Sequence, residues 1–202
     1  MAEIGLFPLG VALLPSEVLP LHIFEDRYRE LIEECVSGPM LFGLLYADEA
    51  GMRSVGTEAK VAHVLDRFDD GRLNITVLGI ERFRVVRLTE GRSFDTAEVE
   101  LWTDEEDDGP VSPIEACAAA AGRIAAASEV DSEADFSGAR SAFELAARIQ
   151  LPEGVKQELI EMRSERRRLA RLQDLLERFA GVLERRNEIR IRAAGNGRAE
   201  LS

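Results

Sequence analysis

Apolar and polar positions alternate with period two through most of the first hundred residues and with a period of three to four afterwards, which predicts strands followed by helices. The stretch 7–32, FPLGVALLPSEVLPLHIFEDRYRELI, contains both regimes. Pro8, Pro15 and Pro20 lack a backbone donor and push the residue before each of them toward extended geometry, so its first part reads as edge or corner strands joined by tight bends. From Phe24 onward Tyr28, Leu31, Ile32 and Cys35 recur at i, i+3, i+4 and i+7. With Glu25 and Asp26 at the positive end of the dipole, this predicts a helix over about 25–36, stopped by Gly38-Pro39. So short a helix is marginal alone and needs a sheet beneath its apolar face.

Residues 40–51 read as a mostly apolar strand, and 53–71 as the next, with Val61, His63 and Leu65 on one face and Ala62, Val64 and Asp66 on the other. Asp70-Gly71 is a type I′ hairpin signal, and 72–78 returns with Leu73, Ile75 and Val77 on one face. Gly79 marks a bulge or corner, the strand resumes over 80–88, and a last one runs from Phe94 to Trp102. Six or more short strands with glycine punctuation predict a small, closed or nearly closed β-barrel. The acidic run DEEDDGP at 104–110 then separates it from helices. Ser112-Pro113-Ile114-Glu115 is a capping box opening an Ala-rich helix to about Ala127. Ser137 or Gly138 opens a second helix carrying Phe143, Ala146 and Ile149, and Pro152-Glu153 a third, ending near Arg163. In the long last helix Leu169, Leu172, Leu176, Phe179 and Leu183 form a seam, which offers a surface for pairing with a copy of itself as a homodimer. The expected organisation is α+β: a barrel over 1–105, an acidic linker over 106–111, a helical subdomain over 112–192 and a flexible tail over 193–202. A proline-rich strand system next to helices leaves room for a cleft between them.

Composition narrows the function classes. A chain of 202 residues that is 46% hydrophobic can build an ordinary core. Cys35 and Cys117 each fall on an apolar helix face, as small core residues rather than a disulfide or metal pair, which fits a reducing compartment. No basic leader is visible and no apolar run approaches the ~20 residues that span a bilayer, so no membrane partner and a cytoplasmic location are expected. The net charge of −13 lies wholly in residues 1–110, with 23 acids and 10 bases, whereas 111–202 holds 15 of each. A nucleic-acid surface on the strand-rich half would have the wrong sign. Residues 163–198 hold 11 bases against 5 acids, including Arg166, Arg167, Arg168, Arg171, Arg178, Arg185, Arg186, Arg190 and Arg192. They read first as a solvated helix face, and second as a contact for an anion, a nucleic acid or an acidic partner.

Motifs for chemistry are absent. There is no GxxxxGK[ST] phosphate loop, and the only lysines, Lys60 and Lys156, lie in no protease-like context. His22 and His63 sit among apolar neighbours without HExxH or CxxC spacing, so they read as structural or groove-lining, and no metal or cofactor is expected. Glu25 and Arg27 either form a helix cap and local ion pair or orient a peptide backbone.

Six stretches carry a family likeness: LFPLG at 6–10, VLPLHIFE at 18–25, RYREL at 27–31, GTEAKV at 56–61, DDGRLNITVLGIERFRV at 69–85 and AEVELWTDE at 97–105. Together they resemble the stand-alone relatives of the substrate-binding N-terminal domain of Lon protease, nearly end to end over the strand-rich half. The helical half resembles the same family through weaker motifs. The resemblance implies a PUA-like barrel and a non-catalytic polypeptide-binding module without ATPase or protease parts. Its partners would be unfolded or apolar-rich polypeptide segments, contacted by Pro20, His22, Phe24, Glu25, Arg27 and Tyr28, with Arg82 and Phe83 nearby. Because PUA-like barrels often serve RNA, an RNA-binding module is the alternative. Two departures stand out: Ser16-Glu17 occupies the place of a glycine and a hydrophobic residue, and Asp26 that of a proline.

Overall fold

Strands occupy the first half of the computed structural model and helices the second, in the sequence order the periodicity predicts; residues 2–38, 40–107, 113–127 and 135–196 are described. The strands are β1 (Ala2–Leu9), β2 (Val18–Ile23), β3 (Phe42–Asp48), β4 (Gly51–Met52), β5 (Val55–Arg67), β6 (Leu73–Thr89) and β7 (Thr96–Leu101). The helices are α1 (Asp26–Ser37), α2 (Ile114–Ala127), α3 (Ala142–Ala146), α4 (Glu153–Glu161) and α5 (Glu165–Asn196). Two compact units form, one from 1–106 with 150–164 and one from 107–149 with 165–202. The expected helical subdomain over 112–192 is therefore interrupted, because 150–164 belongs with the strands. Ser112 of the capping box, residues 108–111 of the acidic linker and 197–202 of the expected tail lie outside the described residues, while 193–196 continue α5.

In the first unit five strands close a ring in the order β1-β7-β6-β5-β3 and back to β1. Every neighbour in it is antiparallel except β1 and β3, which close the ring in parallel with Leu6 opposite Gly43 and Leu9 opposite Tyr46. Leu6, Leu45, Phe83, Ala97 and Val99 form one core cluster. Beyond the ring, β6 and β5 continue as an arm on which β2 pairs antiparallel, Val18 opposite Leu78 through Ile23 opposite Leu73. Leu73, Ile75 and Val77 share its buried face as the alternation predicts. The face of α1 formed by Tyr28, Leu31, Ile32 and Cys35 covers them, and burying each large side chain there contributes roughly 1.5–3 kcal/mol.

Along β5 the simple alternation fails. The register shifts between Val61 and His63, and again between Val64 and Asp66, so β5 carries an extra residue at each place. Each bulge reverses which face the next side chain meets. Val61 and Val64 consequently both pack on the core, while His63 and Leu65, expected beside Val61, are exposed. The β5–β6 turn also differs from the expected type I′. Only Gly71 has positive φ, at 85°, and the Gly71 amide donates to the Phe68 carbonyl at 2.9 Å while the Phe68 amide donates to that of Arg72 at 2.9 Å. This is a three-residue turn closed by a left-handed glycine. At Gly79 the irregularity appears as expected, between Gly79 and Arg82, but β6 runs through it unbroken.

The loop before β2 lies over Gly79. The Ser16 amide donates to the Gly79 carbonyl at 2.8 Å and the Gly79 amide to that of Glu17 at 2.9 Å, an approach so close that a Cβ at position 79 would meet the Leu14 carbonyl. Ser16 itself has φ of 69°, the only described non-glycine residue in the left-handed region. The glycine of the resembling family suits that conformation.

Segment 150–164 is bolted to the ring by polar groups. Gln157 Nε2 donates to the Val55 carbonyl at 3.1 Å, Trp102 Nε1 to Glu161 at 3.1 Å and Arg163 Nε to Thr103 at 2.8 Å. Leu159 and Ile160 are buried beneath them.

In the second unit Leu169, Leu172, Leu176 and Ala180 of α5 turn inward, and Cys117, Ala120 and Ala121 of α2 are buried with them. Phe179, expected in that seam, faces out because Ala180 takes the next inward position. Helix α3 begins later than predicted: Ser141, extended at φ −147°, caps it by accepting from the Glu144 amide at 3.1 Å. Arg168 leaves the solvated face expected of its run; it is buried over the Phe143 ring at 4.4 Å and donates to Glu165 at 2.8 Å.

Candidate functional site

The alternation of β2 splits its residues cleanly. Leu19 and Leu21 pack against the core and Ile23 is buried, while Val18, Pro20 and His22 face out, followed by Phe24 at 61% exposure. His22 Nδ1 donates to Asn74 Oδ1 at 2.7 Å, and Asn74 Nδ2 donates to Asp66 Oδ2 at 2.8 Å. Three strands are thereby tied across the outer face of the arm. The His22 ring stacks at 6.0 Å on Phe24 and meets the edge of Phe68 at 6.2 Å, and the Arg72 guanidinium lies 5.2 Å from the Phe68 ring. Pro20, His22 and Phe24 thus come together as one exposed apolar and aromatic face.

The other expected contact residues are placed differently. Glu25 precedes α1 at the N-cap without a side-chain cap bond and instead accepts from Arg27 Nε at 3.0 Å, the local ion pair rather than a backbone clamp. The Arg27 guanidinium lies 4.3 Å from the Tyr28 ring. Tyr28 is buried on Phe7, ring centroids 4.0 Å apart, and burial raises its phenol pKa above the usual range. Phe83 is fully buried inside the ring. Arg82 is buried too, donating to the carbonyls of Ile160 at 2.9 Å and Met162 at 2.6 Å and pairing with Asp104 at 2.5 Å. Tyr28, Arg82 and Phe83 are therefore parts of the framework and present no surface to a partner.

An open cavity lies at the far margin of the same arm. It has a volume of about 260 Å³ and is lined by Cys35, Val36, Gly38 and Met40 at the end of α1 and by Lys60 to Val64 of β5. Its origin is a mismatch of lengths: β3 has 7 residues and pairs with β5 only at Thr57 to Ala59, whereas β5 has 13 and runs on to Arg67. From Lys60 to Arg67 that edge of β5 has no strand partner among the described residues. Burial pushes the Cys35 thiol up to about 11, so it lines the cavity as a neutral apolar group. Lys60 is exposed at the rim and has no ion pair among the described residues. Val36, Met40, Lys60, Val61 and Val64 were not among the expected contacts. The signal for them in the sequence is the run 53–71 outlasting the run 40–51, whose meaning depends on which strands pair.

Among the described residues no group of three or more His, Cys, Asp and Glu side chains converges as a metal site. No helix among them is long and apolar enough to cross a membrane. What the arrangement offers is a bare strand margin beside an apolar recess, and an aromatic face on the opposite strand.

Residues 3–178 of the 202 match the family model of the ATP-dependent protease La (LON) substrate-binding domain. A Lon N-terminal domain protein from Xanthomonas campestris superposes with a TM-score of 0.61 at 26% identity, over 85% of this chain and 97% of that one. The N-terminal domain of a Mycobacterium avium complex Lon protease superposes with a TM-score of 0.65 over 87% of this chain and 98% of that one; at 20% identity it shows the shared fold. The match over most of the length, with the strand ring and following helices it requires, places this chain in the family of Lon substrate-binding domains.

Proposed function

We propose that this protein binds extended, apolar-rich stretches of unfolded polypeptide without transforming them. The observation that supports this reading is the unpaired margin of β5 from Lys60 to Arg67 beside the recess of Val36, Met40, Val61 and Val64. A strand added to that margin gains backbone hydrogen bonds whatever its sequence, and the recess has room for a large apolar side chain such as leucine or phenylalanine. Affinity is then broad and selectivity loose, as befits recognition of chains that have lost their fold. The family's description as a substrate-binding domain agrees with this. So does the sequence, which has a recognition module's motifs and no nucleotide-binding loop. Pro20, His22 and Phe24 form a second apolar face available to the same bound chain. An RNA-binding role is opposed by the concentration of the −13 net charge in the strand-rich half. The two buried, free thiols fit a reducing, cytoplasmic setting.

The test is fluorescence anisotropy of labelled, reduced and carboxymethylated lactalbumin, a chain that stays unfolded, titrated with the wild type and with Met40→Glu, whose side chain is exposed enough to change without harming the core. Binding by the wild type, weakened about tenfold or more by a charge in the recess, is expected. Equal binding by both proteins, or no binding beyond that of an unrelated acidic protein, overturns the reading. The pair His22→Ala and Phe24→Ala locates the second face: an effect larger than that of Met40→Glu moves the site to β2 and overturns its placement on β5.

A further inference from the structure

Helix α5 carries two apolar stripes. Leu169, Leu172, Leu176 and Ala180 make the inner one. Leu175, Phe179, Val182, Arg186 and Ile189 follow one another at spacings of four, three, four and three, the seam of a coiled coil on a different face of the helix. Phe179, Val182 and Ile189 are 53%, 53% and 69% exposed. From Phe179 to Ile189 the stripe runs about 15 Å along the helix at 1.5 Å per residue.

Charge is sorted around this helix. Glu177 and Glu184 both turn to Arg123 of α2, the first in a hydrogen-bonded pair and the second at 3.8 Å, with their side chains about half exposed. On the other side Arg178 is held by Asp174 at 2.9 Å, and Arg185 and Arg186 are exposed with no ion pair among the described residues. The exposed stripe is thus apolar at Phe179, Val182 and Ile189, with Arg186 within it and Arg185 beside it.

We propose that this outer stripe of α5 docks an acidic amphipathic helix of another protein, its apolar ridge laid on Phe179, Val182 and Ile189 and its carboxylates on Arg185 and Arg186. Charge complementarity selects this occupant. A second copy of the chain brings the same sign: antiparallel pairing sets Arg178 and Arg185 against the copy's own arginines, and parallel pairing sets Arg185 against Arg190. Nucleic acid satisfies the arginines but leaves the three apolar side chains in water. An acidic helix satisfies both.

The experiment titrates the full-length protein into two fluorescein-labelled three-heptad peptides with leucine at the a and d positions, one with glutamate and one with lysine at e and g. Binding of the glutamate peptide alone, weakening as salt rises and falling at least about tenfold in the Arg185→Glu, Arg186→Glu variant, is expected. Phe179→Ser, at a position 53% exposed, weakens it as well. Equal binding of the two peptides, binding of neither, or indifference to the charge reversal overturns the proposal. So does self-association of the chain, seen by sedimentation velocity and abolished by Phe179→Ser. Binding of phosphatidylserine vesicles or single-stranded RNA through Arg185 and Arg186, with the glutamate peptide left unbound, overturns it in favour of those ligands.

Discussion

Lys156 Nζ lies 2.5 Å from Glu17 Oε1, and the two side chains, 9% and 12% exposed, join the opening segment to a helix more than a hundred residues later. Glu17 also accepts from the Leu14 amide at 2.9 Å, and Glu153 at the start of α4 accepts from the Ala12 amide at 2.6 Å. Removing one partner strands the other charge away from water, at a cost of about 3–5 kcal/mol. Lys156→Met is therefore expected to lower the urea midpoint markedly, whereas Glu17→Leu combined with Lys156→Met recovers most of the loss. Denaturant titration of Lys156→Met, Glu17→Leu and the double variant checks this; additive losses in the double variant would refute the pairing.

The same bolts bear on how the protein can be cut. A fragment ending at residue 106 lacks the segment 150–164 that supplies partners for Val55, Arg82 and Trp102. Such a fragment is expected to lose cooperative unfolding, and circular dichroism on heating shows it. A fragment that melts as sharply as the whole chain would mean that α4 is dispensable to the ring.

Ser16 sits at φ of 69° where a glycine is at ease. Ser16→Gly is expected to raise stability by roughly 0.5–1 kcal/mol, relief of the left-handed strain outweighing the added freedom of the unfolded chain. Thermal unfolding measures it. An unchanged or lower midpoint would mean that the Ser16 conformation costs little in this loop.

Burial, with repulsion from Glu81 second, raises the Glu58 pKa above its ordinary value. A carboxyl whose pKa is higher folded than unfolded favours the fold while protonated, and that contribution is lost as pH rises through the folded pKa. Glu58→Gln is accordingly expected to stabilise the protein at neutral pH, with the gain vanishing below about pH 4.5. Melting temperatures of both proteins across that range decide it, and a gain independent of pH would locate its cause elsewhere.

Moving the Cys35 thiol from 9.0 to about 11 cuts its thiolate fraction about a hundredfold near neutral pH. Alkylation of Cys35 by iodoacetamide is expected to be slowed at least that much in the native protein and restored in denaturant, as peptide mass spectrometry can follow. Rapid native labelling would show that the recess opens far wider than its walls suggest.

Much of the fold could be read in advance because local rules decided it. The i, i+3, i+4, i+7 set from Tyr28 to Cys35 forms α1 and buries the predicted face, and Leu73, Ile75 and Val77 share one side of β6. Errors arose where a long-range partner overrode a local pattern. The bulges of β5 are set by its register on β6, so they rotate His63 and Leu65 outward with no mark in their own sequence. Segment 150–164 looks like one more helix of the bundle, and only Arg82, Trp102 and Val55, far away in the chain, claim it for the ring. The site was half readable for the same reason. Pro20, His22 and Phe24 share a face by alternation alone, but Arg82 and Phe83, drawn from a strong strand motif, are conspicuous in the sequence for packing. The recess beside Met40 depends on where β3 stops pairing, which no local pattern records.

Backbone amide hydrogen exchange, recorded with and without carboxymethylated lactalbumin, reads strand addition at the margin itself. Slowed exchange across Lys60 to Arg67, with β7 unchanged, is expected if a polypeptide pairs with β5. Bound polypeptide that leaves the amides of Lys60 to Arg67 exchanging at their free rate would show that β5 is not where this protein holds a chain.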